Sequence, residues 1–145
     1  MLIRRMEAAD VSRVAEIEKD CFSLPWSEQS LMDSISRKDT LFLVCEDSVS
    51  NIVGYIGMYL SFEEGDITNV AVAPLHRKKG YGEALVSRAK LFAKEQGLEC
   101  ILLEVRVSND AAISLYHKMG FEKLGLRKKF YEHPTEDALI MSCTL

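Results

Sequence analysis

The chain has 145 residues, of which 48% are hydrophobic and 28% charged, with a formal net charge of -4. That length and apolar content suit one domain with one core and exclude a disordered chain. The acidic balance excludes general duplex binding, which needs a broad excess of Lys and Arg to displace condensed counterions, and leaves room only for a local basic patch.

The opening MLIRRMEAAD interrupts any apolar run with two arginines and an aspartate, so no export signal is expected. The longest apolar run, Ile52 to Leu60, falls far short of the ~20 residues of a membrane-spanning helix. The expectation is a cytoplasmic monomer with no membrane attachment and no direct nucleic-acid contact. Cys21, Cys45, Cys100 and Cys143 are scattered without a CxxC pair. They read as buried or idle thiols, neither zinc cage nor redox pair, and no metal site is expected.

In chain order, LIRRM reads as a short strand. Asp10 is a candidate N-cap for a helix in which Val11, Val14, Ile17 and Cys21 recur at helical spacing. A second short helix, capped by Ser27, carries Leu31, Met32 and Ile35. The period then changes: TLFLVCE, IVGYIGMYL and DITNVAV predict an antiparallel meander. After Pro74 a helix returns, with Leu85, Ala89 and Phe92 on one stripe and Gly97 as its stop. CILLEVRV predicts a central strand. Asn109 or Asp110 caps the next helix, Ala112, Tyr116 and Met119 mark its face, and Gly120 ends it. FEKLGLRKKFY and ALIMSCTL close the chain as strands.

The resulting order, βααβββαβαββ, predicts a single α/β domain over residues 1–145 around one mixed sheet of six to seven strands with flanking helices. The helix after Gly82 crosses over to CILLEV, so the strands ending near Val72 and Glu104 should be parallel neighbours. Ligands in such sheets lie at the carboxyl ends of the strands. The stretch RKKGYGEALV falls there, opening a helix. The first N–H groups of a helix have no internal partner, and the macrodipole adds about half a positive charge. Gly80 and Gly82 permit positive φ and close approach, and Arg77, Lys78 and Lys79 add cations, chemistry suited to a phosphate or diphosphate. It is no Walker loop, lacking GK[ST], and no dinucleotide fingerprint, since Leu85 stands where the third glycine belongs. By spacing alone it stays open between an anion cradle and a solvated basic turn.

VAVAPLHRKKGYGEALV followed by LLEVRVSNDAAISLYHKMGF resembles the GNAT superfamily of acetyl-coenzyme A dependent N-acetyltransferases. With FSLPWSEQSL and the late RKKFY before EDALIM, the chain is similar to the branch of bacterial ribosomal-protein-alanine N-acetyltransferases. The resemblance runs from LIRRM to ALIMSC. It implies a GNAT-like domain in which the parallel strands splay apart to admit acetyl-CoA as acetyl donor. Arg77, Lys78, Lys79, Gly80, Tyr81, Gly82 and Glu83 would wrap its diphosphate, and Val70, Ala71 and Val72 would pair with the pantetheine arm. Asn109 would contact the cofactor or serve as a plain helix cap.

Amide formation from an amine requires a proton acceptor. Glu104, in an apolar run near the end of the central strand, suits a general base, with pairing to Arg106 as the structural alternative. The resemblance implies the base. Tyr116, on the inward stripe of its helix, would protonate the departing thiolate in the resembling enzymes; from the residues alone a core aromatic explains it equally. Direct attack needs no cysteine nucleophile. His76, His117 and His133 read as surface groups.

The resemblance implies an amino-terminal acceptor, the alanine of small-subunit ribosomal protein S18, hence a basic protein substrate. Phe22, Leu24, Pro25, Trp26 and Tyr131 would line its groove, with burial in the core the alternative for Phe22 and Trp26, and Glu63, Glu64 and Asp66 would suit a basic peptide or form a solvated hairpin. The alternatives are an N-acetyltransferase acting on lysine or a small amine, and a non-catalytic acyl-CoA-binding regulatory module.

Overall fold

The two hydrophobic periods of the sequence become seven strands and four main helices. The computed structural model describes residues 1–145. Its elements are β1 (Leu2–Arg5), α1 (Val11–Cys21), α2 (Glu28–Ile35), β2 (Thr40–Glu46), β3 (Ile52–Ser61), β4 (Glu64–Val72), α3 (Tyr81–Glu95), β5 (Cys100–Arg106), α4 (Asp110–Lys118), β6 (Glu122–Tyr131) and β7 (Glu136–Thr144). Single 3-10 turns at Ala8–Asp10 and Pro74–His76 precede α1 and the glycine loop.

The strands form one sheet in the order β1-β2-β3-β4-β5-β7-β6, antiparallel except for the expected parallel pair β4 and β5. Two cores flank it. Leu85, Val86, Ala89 and Ala93 of α3 bury one face of the sheet with Ile67, Ile101 and Met141. On the other face Val14 and Ile17 of α1 and Leu31 of α2 pack on Phe42, Val44 and Tyr55. Gly97 and Gly120 stop α3 and α4 with φ of 78° and 94°, a conformation glycine adopts without steric cost. Ser27 caps α2, accepting from the Ser30 N–H at 3.1 Å.

Asp10 departs from the expected side-chain cap. It stands at the N-cap of α1 but makes no cap bond there. The Arg4 guanidinium reaches both its oxygens, at 2.7 and 3.0 Å, and the Glu7 N–H donates to it at 2.8 Å. A cation from β1 thus outcompetes the helix amides, and the Arg4 hydrogen bond, countered by burial, holds the Asp10 carboxyl below its ordinary value.

The sheet contains one irregularity that positions the site. Gly57 of β3 lies opposite Asn69, but Met58 lies opposite Ile67, so Thr68 is an extra residue on β4. A bulge of this kind bends its strand and reverses the sense in which side chains alternate. Accordingly Ile67 joins the α3-side core while Ala71, four residues on, joins the α1-side core. β4 also parts from β5 at this point. Their register runs only from Glu64–Cys100 to Ile67–Leu103, although β4 continues to Val72 and β5 to Arg106. β5 stays paired with β7 through Arg106 and Ala138, and β4 with β3 through Val72 and Gly54, so the gap opens between two continuous ladders.

Gly57, opposite the bulge, has no room for a side chain: a Cβ there would stand 2.5 Å from the Phe42 ring, itself buried. Gly57→Ala is therefore expected to cost about 1–3 kcal/mol by overpacking, measured as a lower urea midpoint at unchanged m-value.

Candidate active site

Where β4 and β5 diverge, the sheet opens into a cavity of about 500 Å³. Thr68, Asn69 and Val70 form one wall and Glu104, Val105 and Arg106 the other. Phe22, Ser23, Leu24 and Trp26 between α1 and α2, and Phe130 and Tyr131 at the end of β6 with Glu132 after it, close over it, with Asn109, Ala112 and Tyr116 contributed by α4 and its cap.

Glu104 follows Leu103, the last β5 residue paired with β4, so its side chain stands at the start of the gap. The expected pairing with Arg106 does not form; Oε1 of Glu104 lies 3.5 Å from Nε of Arg127 on β6. Arg106 is drawn instead to the β6–β7 turn. Nη1 donates to the Pro134 carbonyl at 2.9 Å and meets Glu136 at 3.2 Å, and Nη2 donates to the Glu132 carbonyl at 2.9 Å. Its plane lies 4.5 Å over the Tyr131 ring. Two main-chain acceptors and an aromatic face outweigh one carboxylate two residues away.

Tyr116 projects from α4 into the same cavity, with its ring 5.8 Å from Phe121. Burial, with Tyr131 nearby, pushes its phenol well above the ordinary value, and burial with the Glu104 charge pushes Tyr131 up to about 12. Both hydroxyls therefore keep their protons at neutral pH and can donate. Asn109 is the cap of α4, its Oδ1 accepting the Ala112 N–H at 3.2 Å, and the residue also lines the cavity.

On β4 the Val72 carbonyl accepts from Nε of Arg77 at 3.2 Å and from Sγ of Cys21 at 3.5 Å, so the main chain of Val72 faces the gap. Backbone groups in an antiparallel ladder alternate between edges, so Val70 also faces the gap while Ala71, its side chain buried, turns its main chain to β3.

The glycine loop follows directly. Lys78 and Gly80 are left-handed, with φ of 62° and 87°, and this succession turns N–H groups toward one side at the start of α3. Gly82 departs from the expected positive φ, because it lies within α3; Lys78 supplies the second left-handed residue. A Cβ at Gly82 would make ordinary contacts, 3.4 Å from Leu115 and 3.8 Å from Val72, so packing alone does not demand glycine there. Lys79 and Tyr81 flank Gly80, and Glu83 is paired with Lys118 at 2.9 Å. Arg77 is folded back: besides Val72, it donates to Sγ of Cys21 at 3.2 Å. Cys21, half-buried, lines the cavity.

Leu24, exposed, and Trp26, its ring tilted 48° to that of Phe42 at 6.3 Å, line the cavity with Tyr131. Glu64 does not. It pairs with Cys100 at the closed end of the parallel strands, and Asp66 lies two residues along β4, its carboxyl raised by burial and by the Glu104 charge. No group of three or more His, Cys, Asp or Glu side chains is arranged to hold a metal ion. Among residues that the sequence left unmarked are Glu18, Thr68, Asn69 and Phe130. A signal existed for Glu18, a carboxylate on the buried stripe Val11, Val14, Glu18, Cys21; none existed for Thr68, because a bulge leaves the composition of a strand unchanged.

Residues 11–121 match the model of the Acetyltransferase (GNAT) family. A Haemophilus influenzae ribosomal protein bS18-alanine N-acetyltransferase is 31% identical over 147 residues, covering 99% of each chain. A Bacillus subtilis protein that carries this name provisionally is 34% identical over 143 residues, 99% of this chain and 95% of the relative. The crystal structure of the ribosomal-protein-S18-alanine N-acetyltransferase from Escherichia coli superposes with a TM-score of 0.90 at 28% identity, covering 99% of this chain and 92% of that one.

Proposed function

From the premise that this chain belongs to the GNAT acetyltransferase family, we propose that it acetylates the amino-terminal alanine of small-subunit ribosomal protein S18, with acetyl-CoA as donor. The relatives' activity, matched over nearly the whole of both chains, supports the acceptor. The observation that carries the chemistry is the gap between β4 and β5, lined from opposite sides by Glu104 and Tyr116. With a ribosomal protein as acceptor, the reaction belongs to the cytoplasm.

Acetyl-CoA supplies the activated acyl carbon. The N–H groups of the Lys78–Gly80 turn and of the first turn of α3, with the Lys78 and Lys79 charges, hold its diphosphate. Val70 and Val72 offer main-chain partners along the free edge of β4 to the pantetheine amides, and the Val70 N–H is suited to polarise the thioester carbonyl. Glu104, directly or through a water, takes the proton that the acceptor ammonium must lose before its nitrogen can attack. Tyr116 then gives its phenolic proton to the departing thiolate, and the second proton, which the nitrogen sheds on becoming an amide, restores the phenol. An α-amine has a reference pKa about 2.5 units below that of lysine, so one carboxylate near neutral pH suffices for it. Leu24, Trp26 and Tyr131 receive the terminal residue. Glu64, remote from the cavity lining, is left out of this groove.

Glu104→Gln should lower kcat by about 10²–10⁴-fold while the acetyl-CoA Kd changes little; unchanged turnover removes Glu104 from the mechanism. Gly82→Trp, filling the space beside Leu115 and Val72, should weaken acetyl-CoA binding at least about tenfold by calorimetry, and undiminished affinity would overturn the loop assignment. The acceptor is tested with a peptide bearing a free amino-terminal alanine against the same peptide blocked there and carrying lysine: the first should be acetylated faster, and preference for the second overturns the reading.

A further inference from the structure

The arm that closes over the acceptor side of the cavity, formed by the end of β6 and the turn into β7, is not held by its own ladder. The β6–β7 register reaches Arg127–Ala138 and resumes only at Tyr131–Glu136, so Lys128, Lys129 and Phe130 have no partner on β7. The Lys129 N–H goes instead to the Asp137 carboxylate, at 2.9 Å. An interrupted ladder of this kind lets the strand bend and twist. Yet Phe130, Tyr131 and Glu132, in the break and just past it, line the cavity.

Arg106 supplies the missing hold. It is the last residue of β5, half-buried, two beyond Glu104 on the same face of the strand. Nη1 and Nη2 reach across to the turn and donate to the Pro134 and Glu132 carbonyls at 2.9 Å each, and Nη1 meets Glu136 at 3.2 Å. The other oxygen of Glu136 accepts the Ser108 N–H at 2.7 Å, one residue before the Asn109 cap of α4. The Val107 N–H adds one main-chain bond, to the Asp137 carbonyl at 3.2 Å. The flat guanidinium meanwhile lies over the Tyr131 ring. One side chain thus ties the turn to the corner between β5 and α4, the two elements that carry Glu104 and Tyr116. Tyr131 is brought close enough to Glu104 for that charge to help raise its phenol.

We infer that Arg106 is a positioning residue for the acceptor: by drawing the β6–β7 turn onto the corner between β5 and α4, it sets Tyr131 against the side of the gap where the amine enters. This rests on the amino-terminal acetylation proposed above, in which Tyr131 helps to receive the terminal residue. The work falls to the fork of donors rather than to the charge. Two carbonyls, a carboxylate and a ring face are met at once by a planar guanidinium with five N–H donors, whereas a lysine ammonium, a point charge on one stem, cannot satisfy them together. None of these bonds goes to the glycine loop or to the free edge of β4, so the acceptor groove is shaped separately from the cofactor site.

The test combines steady-state kinetics on an alanine-initiated peptide with calorimetry of acetyl-CoA binding, for the wild type, Arg106→Lys, Tyr131→Ala and the double variant. Arg106→Lys keeps the charge and loses the fork. It should raise the peptide KM about tenfold, leave the acetyl-CoA Kd unchanged, and speed amide hydrogen exchange across residues 130–136 alone. In the Tyr131→Ala background the same substitution should change the peptide KM little, because the residue it positions is gone. A peptide KM equal to that of the wild type, an equal loss of acetyl-CoA affinity, or additive effects of the two substitutions overturns the inference. A fall in kcat with the peptide KM unchanged marks a merely structural loss and overturns it too. Should Arg106→Lys fail to fold, Glu136→Gln, which loosens the same clamp from the side of the turn, takes its place in every arm. If the wild type acetylates no alanine-initiated peptide, the acceptor assignment itself has failed, a separate result, and unchanged hydrogen exchange at the turn would then overturn the role of Arg106 by itself.

Discussion

One residue too many in β4 is the constraint on which the molecule depends. With Thr68 inserted against β3, β4 cannot keep both of its neighbours, and it keeps the longer antiparallel ladder with β3. β5 keeps its own with β7. The short parallel pairing ends at Ile67 and Leu103, and the free edges beyond form the walls of the cavity. The same insertion decides which side chains meet which face, since without it Asn69 would point toward α3.

The charges around the cavity divide between structure and chemistry. Arg106 and Arg127 both lie near Glu104, yet Arg106 is committed to the β6–β7 turn and to Tyr131, leaving Arg127 to face the carboxylate. Tyr116 and Tyr131 are kept protonated by burial. The cavity lining thus brings two phenolic donors together with the Glu104 carboxylate.

Much of this site is built from groups that folding leaves unsatisfied or strained. Lys78 holds a left-handed conformation that glycine would adopt at less cost, and the first turn of α3 has no side-chain cap. Such features persist only where the surrounding structure compels them, and they cluster where a ligand completes them. Stability for the whole comes from elsewhere, from the two apolar cores on either side of the sheet.

The order of elements, the helix stops at Gly97 and Gly120, the cap at Ser27 and the parallel β4–β5 pair were legible in the chain alone, because each follows from local periodicity or from the geometry of a crossover. The glycine loop was legible as a candidate anion cradle, and with it the resemblance to a family of acetyltransferases. Tertiary structure alone decided that Lys78 and not Gly82 supplies the second left-handed turn, that Arg106 abandons Glu104, that Arg77 folds onto Val72, and that Glu18 is buried under Trp26. Most of these outcomes are competitions among partners far apart in sequence, and Thr68 shows the limit most clearly: its place in the register depends on β3, which no reading of β4 by itself contains.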